Sequence, residues 1–193
     1  PDNESYFDLP YALFASEEEV QLFCCQADVK GIVYGNETFR FQGSTLNLLG
    51  TAYSAGKLQI AGGDLHIAEK IENASQIELP NYMTDILDNM KQNTGIEEIA
   101  EYNMANVTNP TICKTTTKAW CNRVNIFADL VSNGDISFNA NVMTLGYKDP
   151  VVIASENGDI TIQATNVNGN GLIYAPNGTV TINVCDFDYK GSI

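Results

Sequence analysis

The chain has 193 residues, 24 acidic against only 10 basic, and a formal net charge of −14. One-domain length with 44% apolar residues describes globular material, and the acidity argues against nucleic acid as a partner. No run of 18 apolar residues occurs, so no segment is predicted to insert into a membrane, and the single histidine, His66, excludes chemistry that needs two.

From the N-terminal side, Gly31-Ile32-Val33-Tyr34 is echoed by Gly50-Thr51-Ala52-Tyr53 at an offset of 19. The same offset carries Phe39 to Leu58, Phe41 to Ile60, Gly43 to Gly62, Leu46 to Leu65 and Leu48 to Ile67, and one step back lie Leu13, Val20, Leu22, Ala27 and Val29. Within each turn the apolar positions are two apart, which is strand alternation and not helical spacing. The predicted inward stacks are Leu13/Ile32, Ala15/Tyr34/Tyr53, Val20/Phe39/Leu58, Leu22/Phe41/Ile60 and Ala27/Leu46/Leu65. Asn47 belongs to the outward alternation.

Over residues 69–123 the period fails. Met83, Ile86, Leu87 and Met90 fall at i, i+3, i+4 and i+7, which predicts an amphipathic helix entered through Pro80 and stopped near Gly95. Ile96, Ile99 and Ala100 suggest a further helical turn, and 106–117 reads as loop. The insertion is expected to pack its apolar stripe on an outer sheet face or over an open end, or else to wall a cleft.

A second array closes the chain. Ser155-Glu156-Asn157-Gly158-Asp159-Ile160-Thr161-Ile162 recurs 20 residues later as Ala175-Pro176-Asn177-Gly178-Thr179-Val180-Thr181-Ile182, and an earlier copy starts at Ser132, 24 before Glu156. Its Asn-Gly pairs are expected to turn corners through positive φ. Gly171 to Gly191 keeps the register of 20, and the abrupt ends suggest a segment of a longer protein.

A unit of about 20 residues with two or three short strands buries its inward face only by stacking on copies of itself. The fold class expected is therefore all-β, a single-stranded parallel β-helix (β-solenoid), right-handed in form. It forms one domain over 1–193, with coils at 9–68 and 124–193, an inserted helical segment at about 69–123, and about six coils in all.

Among five cysteines, Cys113 and Cys121 are the best-placed candidates for a disulfide, and Cys24-Cys25 should split between core and surface. Asp186 and Asp188 alternate on one face, and the offset of 20 sets Asn166 and Asn168 beside them, an oxygen-rich patch of the kind that binds Ca²⁺. Glu17-Glu18-Glu19 reads as an exposed acidic turn whose side chains diverge. His66 reads as a surface residue beside inward Leu65 and Ile67. Tyr11, Tyr82, Tyr102, Tyr147 and Trp120 are scattered; a sugar-stacking platform needs several of them exposed together. No Ser-His, Cys-His or paired-carboxylate constellation emerges, so no catalytic residue or organic cofactor is assigned.

The strings Ala12-Leu13-Phe14-Ala15, Gly31-Ile32-Val33-Tyr34-Gly35-Asn36 and Gly171-Leu172-Ile173-Tyr174-Ala175-Pro176-Asn177-Gly178-Thr179-Val180-Thr181-Ile182 resemble the β-helical modules of secreted or wall-attached surface proteins of Gram-positive gut anaerobes. The resemblance implies an extracellular, cell-surface location, with leader and anchor elsewhere in the gene. It implies a non-enzymatic scaffold or adhesion role, with a host or cell-wall glycan or protein as ligand. The rival expectations are a polysaccharide-acting β-helix enzyme and a solenoid that self-associates end to end through its unpaired strand edges.

Overall fold

The computed structural model describes residues 11–15, 19–75, 82–92, 97–99, 105–146 and 148–191. The first array forms β1 (Tyr11–Ala15), β2 (Glu19–Lys30), β3 (Ile32–Gly35), β4 (Thr38–Ser54), β5 (Lys57–Ala61) and β6 (Asp64–Ile71). Helix α1 (Tyr82–Gln92) follows, then β7 (Glu97–Ile99), β8 (Asn106–Val107), β9 (Thr111–Cys113) and β10 (Thr117–Ile126). The second array forms β11 (Leu130–Ser132), β12 (Ile136–Leu145), β13 (Val151–Ser155), β14 (Ile160–Ala175) and β15 (Val180–Gly191).

These strands pair in parallel and stack as a β-solenoid of about eight turns. The expected count of six is too low because the segment at 69–123 contributes coils of its own. Ile99 lies in β7 and not in a helical turn, and the presumed loop at 106–117 contains β8, β9 and the start of β10. Ile96, Ala100, Pro80 and Gly95 lie outside the described residues.

The order of the coils differs from their order in the chain. From one end of the stack to the other they are 97–107, 111–126, 130–145, 151–169, 171–190, then 11–30, 32–49 and 51–67. The last coil of the second array thus lies against the first coil of the first array. Val180 to Lys190 pair with Val20 to Lys30 in β15 and β2, and Ile173 in β14 pairs with Leu13 in β1. The chain starts in the middle of the stack, climbs to one end, returns alongside through α1, and builds from the other end back to the middle.

The coils are built on three walls. Among the described residues the first wall holds β1, β3, β7, β9, β11, β13 and the last residues of β4, β6 and β14. The second begins with β10, β12, β14, β15, β2, β4 and β5 in stack order, and the third continues the same long strands into β6. Columns of like residues fill the interior: Val20, Phe39 and Leu58; Leu22, Phe41 and Ile60; Ala27, Leu46 and Leu65 sit one above another as the period requires. Phe39, Phe41 and Leu46 are fully buried, while Leu58, Ile60, Leu65 and Ile67 of the terminal coil are half-buried.

The first wall corrects two predicted stacks. The offset of 19 pairs Val33 with Ala52 and Tyr34 with Tyr53, but Val33 and Ala52 face inward and Tyr34 and Tyr53 outward. In β1 the register slips between Tyr11 and Leu13, so Leu13 pairs with Val33 and Ala15 with Gly35. The outward column of Ile112, Val131, Ala154, Tyr174, Tyr34 and Tyr53 is apolar because α1 covers it. Met83, Ile86 and Met90 are buried against this column, and the Tyr82 ring meets Tyr174 edge-on at 6.3 Å. Asp85 in the first turn and Lys91 in the last complement the helix dipole. An 11-residue helix is about 16 Å long, enough to cross three or four coils.

The Asn-Gly corners also work differently from expectation. None of Asn133, Asn157, Asn177 or the glycines after them has positive φ. Their glycines are needed because the coils approach closely there: a Cβ on Gly178 would overlap the Gly158 carbonyl, and one on Gly158 the Asp135 carboxylate. The asparagines form a ladder, with Asn157 Nδ2 donating to Asn133 Oδ1 at 2.6 Å and Asn177 Nδ2 to the Glu156 carbonyl at 2.7 Å. Beneath them Ser132 and Ser155 are buried, each hydroxyl donating to a corner carbonyl of the neighbouring coil.

Two outcomes follow from this packing. Phe41→Ala should lower unfolding free energy by about 3–5 kcal/mol in urea titration, because the void is walled by fixed strands, whereas Gln42→Ala on the outer side should change it by less than about 0.5 kcal/mol; equal losses would contradict the register. Asp129 gives the second. Its carboxylate accepts a hydrogen bond from Val152 N at 2.8 Å, yet burial holds its pKa above the usual 3.8. A carboxyl that binds its proton more tightly folded than unfolded loses stability as pH rises through the folded value. Asp129→Asn should therefore melt above the wild type at pH 7, with the difference closing as pH falls below about 3.8; parallel melting curves across that range would contradict it.

Candidate functional site

The second wall presents two outward columns, set by alternation with buried Ala119, Phe138, Ile162, Ile182, Leu22 and Phe41. One column runs Lys118, Ser137, Thr161, Thr181, Gln21, Arg40 and Gln59; the other runs Trp120, Asn139, Gln163, Asn183, Phe23, Gln42 and Ala61. Neither contains a carboxylate, although the chain has 24 acidic residues. Among the described residues, Asp186, Asp188, Asp28 and Asp64 lie on the third wall, and Glu19 lies at the corner where β2 begins.

Trp120 stands near one end of this wall, with 76% of its surface exposed. It pairs in register with Asn139, which in turn pairs with Gln163. With Asn122, Asn139 and Asn141 it borders an open depression of about 400 Å³. The amides are fixed by bonds between coils: Asn141 Nδ2 donates to Asn122 Oδ1 at 2.6 Å and Asn139 Nδ2 to Gln163 Oε1 at 3.2 Å. Each donor uses one of its two N–H groups in this way, and each carbonyl oxygen has a second lone pair. An indole face beside oriented amides suits a ligand with one apolar face and a rim of hydroxyls. Of the other predicted aromatics, Tyr82 is on α1 against the first wall and Tyr11 opens β1 in the same wall, while Tyr102 and Tyr147 lie outside the described residues.

The predicted oxygen-rich patch assembles in register on the third wall. Asn166 pairs with Asp186 and Asn168 with Asp188, and the next coil adds Gln26 beside Asp186 and Asp28 beside Asp188. Amide N–H groups hydrogen-bond two of these carboxylates. Asn166 donates to Asp186 Oδ2 at 2.8 Å in the amide orientation that satisfies its neighbours, Asn47 Nδ2 donates to Asp28 Oδ1 at 2.7 Å, and Gln26 Nε2 to Asp28 Oδ2 at 3.1 Å. Among the described residues, no group of three or more Asp, Glu, His or Cys side chains converges as metal ligands. Asn47 faces outward as expected, with its amide engaged. His66 is likewise outward, its Nε2 3.0 Å from Asp64 Oδ1. Glu19 opens β2, while Glu17 and Glu18 lie outside the described residues.

Cys113 and Cys121 do not form the disulfide that their spacing suggests. The chain rounds a corner between them, leaving Cys113 buried on the first wall, its thiol donating to the Thr116 carbonyl, and Cys121 at the far edge of the second, donating to the Arg123 carbonyl. Cys24 and Cys25 divide as expected, one buried and one exposed. Burial pushes the Cys24 thiol up to about 12. Sequence reasoning missed Cys185, which the coil order places beside Cys25; the Cys25 sulfur raises the Cys185 thiol above its ordinary value.

No protein-family model, curated protein or solved structure matches the chain. The class it belongs to is set by the architecture: a parallel β-solenoid of about eight turns with one helix packed on its first wall.

Proposed function

We propose that this chain is a non-enzymatic scaffold and adhesion module of an extracellular bacterial surface protein, and that its second wall binds uncharged glycans of host or cell-wall origin. The observation that carries the reading is the segregation of charge. A chain of net charge −14 keeps two adjacent outward columns of one wall free of carboxylates and places an exposed tryptophan among fixed amides on them. Neutral polyols are bound by stacking and by paired donors and acceptors, which that wall offers. Charge elsewhere keeps an extended β surface soluble. No helix among the described residues is long and apolar enough to cross a membrane.

End-to-end association is the second reading, favoured by the terminal coil, where among the described residues β5 and β6 pair only with β4 and Leu58, Ile60, Leu65 and Ile67 are half-buried. One experiment separates the two. Trp120 is the only tryptophan, so titrating the protein with a panel of neutral oligosaccharides should shift its emission, and Trp120→Ala should weaken retention on the same glycans at least about tenfold with an unchanged melting temperature. Equal retention by the variant, or no shift with any glycan, would overturn glycan binding at this wall. Light scattering from the sugar-free samples that grows with protein concentration would favour end-to-end stacking.

A further inference from the structure

The junction between coils 171–190 and 11–30 differs from the others in the stack. At most steps the chain passes from one coil directly into the next, so the neighbours are tethered. At this junction the two coils are held by strand pairing and packing, and the covalent path between them runs around the whole molecule.

On the outer corner of this junction, between the second and third walls, sit Cys185 and Cys25. Val184 pairs with Cys24 and Asp186 with Gln26, which sets residues 185 and 25 directly above one another. The spacing between parallel neighbours, about 4.8 Å, falls inside the Cα separation that a disulfide spans, about 4.4–6.8 Å. Both side chains are exposed and both thiols are free. They open onto one shallow groove with Asn183, Gln42 and Ser44. A solvent-borne oxidant therefore reaches both sulfurs. Cys24, the third thiol nearby, points into the core.

We propose that Cys25 and Cys185 are a redox staple, forming a disulfide that locks the junction between the two arrays. The oxidant is an organic disulfide. The Cys25 thiolate attacks one of its sulfurs and releases one thiolate; the Cys185 thiolate then attacks the Cys25 sulfur of the mixed disulfide and releases the second. The organic disulfide gains two electrons and takes up the two protons the cysteines lose, leaving two thiols. The bond joins residues 160 positions apart, so it removes a large loop entropy from the unfolded chain. It also ties together the two arrays where no direct chain connection does.

The test uses the full chain, reduced and then treated with glutathione disulfide. The expected product is a monomer in which, after non-reducing digestion, the peptide containing Cys25 is joined to that containing Cys185. The melting temperature should rise by roughly 10 °C and return on reduction. Cys25→Ser and Cys185→Ser, both at exposed positions, should each abolish the bond and the rise, while Cys121→Ser should abolish neither. Stable glutathione adducts on both cysteines, a Cys24–Cys25 bond, a dimer linked through these residues, or the bond without a rise in melting temperature would overturn the proposal.

Discussion

A solenoid coil buries its inward residues only when another coil lies on each side, and the coil at 11–30 has one side that its own continuation cannot reach. Residues 32–49 cover one side. The other is covered by β15, whose residues Val180 to Lys190 pair with Val20 to Lys30. The fit at this junction is one of size. Phe187 and Tyr189, stacked with ring centroids 5.4 Å apart, lie under Ala27 and Val29, and the ring of Tyr189 occupies the space left by Gly169 in the coil beyond. A Cβ at Gly169 would meet that ring. Large and small residues alternate along the column, which brings an irregular set of side chains to the packing density of a protein interior.

The permuted order explains the rest of the architecture. A chain that begins in mid-stack and climbs to one end has to return to the other end along the outside. The return passes over the first wall, so that wall is apolar on both sides, inward for the core and outward for α1. Among the described residues no helix covers the second and third walls, and most of their outward positions are polar. The two outward columns of the second wall carry no carboxylate, while the third wall carries Asp186, Asp188 and Asp28, with Asp186 and Asp28 held by amide donors.

The repeat arithmetic made the coils legible, because an inward residue and its neighbour in the stack are the same kind of residue at a near-constant offset. Phe39, Phe41, Leu46 and Leu48 lie where that arithmetic puts them. The order of the coils was not legible, since stacking Ile182 on Leu22 satisfies the same aliphatic preference as stacking Leu22 on Phe41. β7, β8 and β9 have only two or three residues each, too few to show alternation. Tyr34 and Tyr53 were misplaced because the inward positions of their strands are Val33 and Ala52, one residue away, and a one-residue change moves a side chain to the opposite face. Part of the candidate site was within reach: the offset of 19 that relates the coils also carries Trp120 to Asn139. What the offset could not supply is exposure, or the absence of carboxylates from two whole outward columns, since both depend on which coils are neighbours. For the same reason the spacing drew attention to Cys113 and Cys121, while the juxtaposed pair was Cys25 and Cys185.

The coil order is the central claim, and one distance tests it. Gln59 and Lys118 both face outward in the same column of the second wall, near opposite ends of the stack. Six inter-strand steps separate them, about 29 Å. Stacking in chain order would bring them within about 10 Å. Nitroxide labels at these two positions, in a chain whose native cysteines are replaced by serine, should give a dipolar distance centred near 30 Å; strong short-range broadening from labels about 10 Å apart would contradict the account.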